Sequence, residues 1–330
     1  MKLLQPTNRA EWLALRKGYI SSTESAALFG QSPYFTAYEI AVMKRKADEA
    51  TDDALIGSER MKWGLRLQDA IASGVAQDYG IEIEPLGLTY AVDDESRMGS
   101  SFDYKITSDL SDAGIAEDEI ESEVLREAFR EMGPGILEVK NVDSLEYKNK
   151  WNVVDGKFEA PDHIEIQLQH QLEVIGLKWG VIAAFVGGNR IALIFRRRDE
   201  KVGRIIRAKI KSFWDNFDKG ILPDPVMPDD ASVIIALNQY AEPDKYHDGK
   251  NDDVLDLLMS EYNRLTGEIS SLVSAKETAK ANILLVIKDA EKGESDHYKV
   301  SAGMRAPVRI EAYDRAGYRD FRVTRKKEKK

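Results

Sequence analysis

The first apolar periods along the chain are helical. Residues 8–17, "NRAEWLALRK", predict a short amphipathic helix ending at Gly18. "ISSTESAALFG" predicts a second, with Ser22 or Thr23 as N-cap and Gly30 as stop. "TAYEIAVMKRKA" predicts a third, capped by Thr36, and residues 55–79 a longer one carrying "WGLRLQDAI". The pattern then turns strand-like. "IEIEPLGLTYAV", "RMGSSFDYKIT" and "GILEVKNV" each predict a strand, and the polar stretch 107–134 is inserted between the last two.

Pro161 opens the helix "DHIEIQLQHQLEVIG", whose Ile164, Leu168, Leu172 and Ile175 form one buried stripe. "WGVIAAFVGGNRIALIFRRR" reads as a hairpin turning at Gly187-Gly188-Asn189. A helix over 199–219 closes at Gly220, and "LPDPVMPDD" reads as a linker. Leu258, Tyr262, Leu265, Ile269, Leu272, Ala279, Ile283 and Val286 then fall on a and d spacings, broken by Lys276. They predict a long helix or a helical hairpin packing on itself or on a partner. The element order predicts an α/β fold with a central mixed β-sheet flanked by helices. A core over 1–225, with the insertion 107–134, would precede a helical accessory region, 226–330, ending in a basic, strand-like tail.

Composition narrows the class. The 330 residues include no cysteine, which excludes disulfides, thiolate ligands and cysteine nucleophiles. No apolar run approaches the ~18 residues of a membrane span, and "MKLLQPTNRAEW" has no extended apolar signal region, so a cytoplasmic protein is expected. The net charge of −10 is unevenly spread. Residues 107–134 hold nine acids against Arg126 and Arg130, whereas residues 301–330 hold ten Lys or Arg against four acids. Local patches therefore bear on partners more than the total does.

Candidate chemistry begins in "GILEVKNV". In a strand, Glu138 and Lys140 share one face and Leu137 and Val139 the other. On the pair alone, a surface ion pair on a strand edge is the plainer reading. The [D/E]-x-K spacing occurs seven times, but only those beginning at Asp103 and Glu138 sit in apolar strand contexts. Mg²⁺ prefers hard oxygen ligands in octahedral geometry. Asp103 and Glu138 on neighbouring strands can supply two carboxylates, and the Val139 carbonyl a third oxygen. Lys140 can hold or help deprotonate a metal-bound water. This arrangement resembles that of the PD-(D/E)xK nucleases.

Five motifs extend the resemblance: "WLALRKGYISSTESAALFGQSPY", "WGLRLQDAI", "GSSFDYKI", "ILEVKN" and "IQLQHQLEVIGLKWG". In this order, over about residues 8–225, the chain resembles the YqaJ-like viral recombinases, the family of phage lambda exonuclease. The resemblance implies a Mg²⁺-dependent nuclease, with Mn²⁺ as a substitute, that degrades one strand of double-stranded DNA from a 5′ end. It implies 3′ overhangs for recombination by strand annealing, a single-strand annealing protein as partner, and a ring-shaped homotrimer. It assigns Asp103 and Glu138 as metal-binding acids, Lys140 as catalytic lysine, and Arg16 and Thr23 as contacts to the terminal 5′-phosphate. Gln167 and Gln169 match a Q-x-Q helix beside the active site; since they cannot share one helix face well, Gln167 is the one expected to reach it.

Two departures stand out. Where the family has a metal-site glutamate four residues after the glycine of "WGLRLQDAI", this chain has Gln68, which offers an oxygen without charge, followed by Asp69. The segment from Asp103 to Glu138 is also long, and reads as a solvated insertion that leaves the two strands paired. The four histidines have no ligand spacing, and no Gly-x-x-x-x-Gly-Lys-Ser/Thr loop is present. The alternatives are a related endonuclease on the same fold, or a non-catalytic end-binding recombination protein with a degenerate metal site.

Overall fold

The computed structural model describes residues 1–45, 59–109, 119–154, 157–238 and 245–304. The chain divides into two compact units, Met1–Val233 and Ile234–Lys330. The first unit opens with β1 (Lys2–Leu4), α1 (Arg9–Lys17), β2 (Ile20–Ser21), α2 (Ser22–Leu28) and α3 (Ala37–Arg45). There follow α4 (Glu59–Tyr79), β3 (Ile81–Pro85), β4 (Tyr90–Asp93), β5 (Met98–Ser100) and β6 (Tyr104–Asp109). Next come α5 (Glu119–Met132), β7 (Gly135–Val142), α6 (Ser144–Lys150), β8 (Asn152–Val154) and β9 (Lys157–Glu159). The unit continues with α7 (Asp162–Ile175), β10 (Trp179–Val186), β11 (Arg190–Arg197) and α8 (Glu200–Phe217), and α9 (Ala231–Leu237) spans the division.

The central sheet has the order β11-β10-β7-β6-β3, with β7 and β10 parallel and the other pairs antiparallel. Its strands alternate between two apolar layers. Ile136, Ile182, Ala184 and Ile194 point to one, with Leu168 and Leu172 of α7 and Ile206 and Ile210 of α8. Leu137, Val181, Ala183 and Leu193 point to the other, with Ala72 and Val75 of α4 and Leu125 and Ala128 of α5. Fully burying such side chains contributes about 1.5–3 kcal/mol each, so both helical layers fix the position of the sheet. Trp179 is wholly buried and lies against Gly135, where a Cβ would fall 2.5 Å from the indole. Glycine is required there for β7 and β10 to approach.

Several expectations change. "IEIEPLGLTYAV" is two strands, because Gly87 turns the chain and sends β3 to the central sheet and β4 to a second one. "RMGSSFDYKIT" divides likewise into β5 and β6. The second sheet, β1-β4-β5-β2, had no predicted counterpart. The inserted stretch is more than a solvated loop: α5 buries Leu125 and Ala128 in the core, while residues 110–118 lie outside the described residues. β6 and β7 nevertheless pair across it. The expected linker 222–230 is anchored, since Asp230 is fully buried and accepts hydrogen bonds from Thr36 Oγ1 (2.6 Å) and Val226 N (2.6 Å).

In the second unit, α10 (Asp253–Ile287) is one continuous helix rather than a helical hairpin. It is followed by the two-stranded ribbon β12 (Lys292–Glu294) and β13 (Lys299–Ser301). The basic stretch 305–330 lies outside the described residues.

Candidate active site

The β6–β7 register sets Tyr104 opposite Leu137. Continued by one residue, it sets Asp103 opposite Glu138, both on the α7 side of the sheet. Asp103 Oδ2 accepts a hydrogen bond from the backbone N–H of Val139 at 2.8 Å, and the Gln68 side chain of α4 also bonds Asp103. Glu138, 3% exposed, is the buried centre. Its Oε1 accepts from Lys140 Nζ (2.6 Å) and Gln167 Nε2 (2.5 Å), and its Oε2 from Gln171 Nε2 (2.7 Å). Lys140 also donates to Gln167 Oε1 at 3.1 Å.

Helical geometry explains why Gln167 and Gln171 both reach Glu138: they lie four residues apart on one face of α7. Gln169 lies off that face and serves a joint elsewhere. It donates to the Arg197 carbonyl (3.0 Å) and accepts from Asp199 N (2.8 Å), fixing the chain between β11 and α8. Asp69 is engaged by the Tyr104 hydroxyl rather than by the acids.

Burial, and then the charge of Glu138, push the Asp103 carboxyl up to about 7, against Lys140, the Val139 N–H and Gln68. Burial alone would lower Lys140, but Glu138 and Asp103 hold it above its ordinary value, so it remains an ammonium. The centre thus carries two carboxyl groups against one ammonium, one acid more than Lys140 can neutralise. Gln171 contributes a further sign of an unfilled bonding capacity. Its Nε2 is fixed by the Glu138 carboxylate and the Ser101 carbonyl (3.3 Å), which leaves its buried Oε1 without a hydrogen-bond partner. The donor chemistry fits a hard divalent cation: the Asp103 and Glu138 carboxylates, the Val139 carbonyl and the Gln68 amide oxygen are all oxygen donors. Among the described residues, no group of three or more His, Asp or Glu side chains gathers at metal-binding distance, in keeping with Gln68 standing where a third carboxylate was expected.

Arg16 and Thr23 form a second cluster. Arg16 lies over the Trp12 ring (4.5 Å) and donates to Ser21 Oγ (3.4 Å), which is 3.2 Å from Thr23 Oγ1. The N-cap of α2 is Ser21, not Ser22 or Thr23; its N–H is bonded to Glu24 Oε2 (2.8 Å) in a capping box. Glu24 in turn pairs with buried Lys44 (3.0 Å), which also donates to the Arg16 and Tyr19 carbonyls. From Ser22, the chain neighbour of Ser21 and Thr23, hydrogen bonds lead from its Oγ to Ser100 Oγ (2.8 Å), on to the Ser101 carbonyl, and so to Gln171 and Glu138.

Sequence reasoning missed Gln171, although its i+4 spacing from Gln167 was a usable signal. It also passed over Tyr34, which packs edge-to-face on His163 (5.8 Å); burial first, and then the charges of Lys140 and Lys150, lower the His163 pKa. His170 is structural: fully buried, it bonds the Gly99 carbonyl (3.1 Å), and burial lowers its pKa to about 4.

Fold and site together define an α/β protein with a paired-carboxylate and lysine centre at one end of a mixed sheet. The YqaJ-like viral recombinase domain matches residues 11–178, about half the chain, a span that contains every site residue named above. The chain belongs to that family. No curated protein matches it. Among solved structures it is similar to the alkaline exonuclease LHK-Exo from Laribacter hongkongensis. That likeness has 14% identity and a TM-score of 0.45, over 64% of this chain and 94% of that one, both in the free protein and in its complex with dAMP. It is also similar to SSO0001, at 12% identity and a TM-score of 0.37, over 73% of this chain and 98% of that one.

Proposed function

We propose that the protein is a Mg²⁺-dependent exonuclease that degrades the 5′-ended strand of double-stranded DNA, leaving 3′ overhangs for recombination by strand annealing. The observation that carries this reading is the convergence of Asp103, Glu138 and Lys140, bonded to one another directly or through Val139 N–H and buttressed by Gln167 and Gln171. A surface ion pair would leave its carboxylate exposed, whereas Glu138 is buried and bonded by two glutamines besides the lysine.

Asp103, Glu138, the Val139 carbonyl and Gln68 would hold the cation. When bound, it supplies charge neutralisation on the phosphate and an acidified water. The remaining work falls to side chains. Gln167 and Gln171 fix the Glu138 carboxylate, and the Lys140 ammonium lies 2.6 Å from Glu138 Oε1, where it can orient a water or donate to phosphate oxygen. Arg16, with Ser21 and Thr23, would grip the terminal 5′-phosphate. A ring-shaped trimer and a single-strand annealing partner belong to the same reading, through the family.

The test is digestion of linear duplex carrying a label at the 5′ or the 3′ end, with and without Mg²⁺. Early release of the 5′ label as mononucleotide, only with the cation, is expected. Internal cuts on closed circles would instead indicate an endonuclease, and binding without cleavage an end-binding protein.

A further inference from the structure

α10 continues without a break for 35 residues, about 52 Å at 1.5 Å per residue. One heptad register runs its length, with Leu258, Leu265, Leu272, Ala279 and Val286 at d, Leu255, Tyr262, Ile269 and Ile283 at a, and Lys276 at the remaining a; further apolar residues flank it at both ends, among them Val254, Leu257, Leu284 and Leu285. Among the described residues of the unit, Leu255 at one end of the stripe lies against Gly249, and Ile287, just past its other end, against Gly293 of the ribbon. Between them Leu258, Leu265, Ile269, Leu272, Ile283 and Val286 are 43–80% exposed. A continuous apolar seam of that length on a folded protein marks an interaction surface.

Charge selects the occupant. The N-terminal half of the helix carries Asp253, Asp256, Glu261 and Glu268 against Arg264, which is itself paired to Glu261 (2.7 Å) and Glu268. The C-terminal half and its cap carry Lys276, Lys280 and Lys288 against Glu277. The helix is therefore complementary to its own reverse. A parallel pair would stack two Lys276 ammonium groups in the seam. An antiparallel pair, centred between Ile269 and Leu272, sets each Lys276 opposite Leu265 of the other copy, within a turn of Glu261 and Glu268. It also opposes the two helix dipoles favourably.

We propose that α10 is a self-association element, through which two copies of this chain pair as an antiparallel coiled coil. The pairing is separate from the nuclease reading and stands or falls without it.

The chain has no cysteine, so introduced thiols report cleanly. Full-length Leu258→Cys and Ile283→Cys chains are prepared separately, mixed and oxidised, and run on a non-reducing gel. An antiparallel seam brings positions 258 and 283 of different copies into one layer, so a covalent dimer is expected in the mixture and not with Leu258→Cys alone. Leu265→Asp with Leu272→Asp should lower the mass measured by light scattering to that of the assembly formed without α10 pairing. Cross-linking of Leu258→Cys with itself would overturn the antiparallel geometry. No cross-link in the mixture would overturn the pairing and mean that the stripe is covered by its own chain. The cysteine arm decides the matter even if the aspartate variant loses helicity by circular dichroism.

Discussion

The Asp103 carboxylate accepts its hydrogen bond from the backbone N–H of Val139, the residue between Glu138 and Lys140 (2.8 Å). One short bond thereby fixes the end of β6 to the middle of the motif on β7, and sets both acids and the lysine in a single register. In the proposed reading, Lys140 is the member of this set that does not hold the cation. Lys140→Ala is expected to lower turnover by about 10²–10⁴-fold while leaving duplex affinity nearly unchanged. Single-turnover cleavage beside fluorescence anisotropy of a labelled duplex measures both, and near-normal turnover would remove Lys140 from the chemistry.

Asp103 makes the metal-free protein sensitive to pH. Its folded-state pKa, about 7, lies above the unfolded value near 3.8. Between those values the folded state binds the extra proton, so stability is full below about 4 and is lost as pH rises toward 7. In chelator, the melting temperature should therefore fall over that interval as far as this group sets it. Asp103→Asn should flatten the fall and melt higher than wild type at pH 8, although it cleaves nothing. Added Mg²⁺ should restore the wild type more at pH 8 than at pH 5, and leave the variant unmoved. A variant melting lower than wild type at pH 8 would refute the account.

Gln171 holds the Glu138 oxygen that Lys140 and Gln167 do not. Gln171→Leu keeps the bulk but leaves that carboxylate oxygen short of a donor in a buried site, at a cost of about 1–3 kcal/mol. Cleavage should fall with it, because the carboxylate can rotate. Gln169→Leu, on the opposite side of α7, should disturb stability through Arg197 and Asp199 without a specific loss of turnover. Thermal denaturation and cleavage rates on both variants separate the two roles, and equal turnover losses would show that Gln171 only supports the helix.

What the sequence made legible follows from which forces are local. The single strand "GILEVKNV", the cap at Thr36 and the stripe of Leu168 and Leu172 depend on near neighbours, and they appear where expected. The division of "RMGSSFDYKIT" into β5 and β6 depends on which sheet each half joins, a long-range choice that its apolar pattern does not encode. The same distinction holds in the site. Asp103, Glu138, Lys140 and Gln167 carried a motif, and the fold brings them together. Gln171 carried only a spacing, and the Lys44–Glu24 pair that fixes the Arg16 backbone joins residues 20 apart with no periodic signature.

Arg16 supplies the last prediction, and the structure changes its basis. A clamp built on backbone N–H groups at the start of α2 is excluded for Ser21, whose N–H is held by Glu24. The side chains gathered there for such a clamp are the Arg16 guanidinium, set by Trp12 and by Ser21 Oγ, and the Thr23 hydroxyl 3.2 Å from Ser21 Oγ. A dianionic 5′-phosphate would replace the weak 3.4 Å contact to Ser21 with a charge-assisted pair. The Ser22–Ser100 bond ties this cluster to the strand end three residues before Asp103, so an end held here registers the strand against the acids. Contacts of this kind contribute about 1.5–3 kcal/mol, so duplex with 5′-phosphate ends should be digested roughly ten- to a hundred-fold faster than duplex with 5′-hydroxyl ends. Arg16→Ala should erase the difference by slowing only the phosphorylated substrate, and Thr23→Val should narrow it. Lys44→Met breaks the buried pair with Glu24 and should cost about 3–5 kcal/mol of stability; it should blunt end discrimination through the Arg16 backbone rather than through the phosphate. Rates on the two ends, measured for all four proteins under one set of conditions, test the clamp, and equal rates in the wild type would leave Arg16 as a helix-end residue stacked on Trp12.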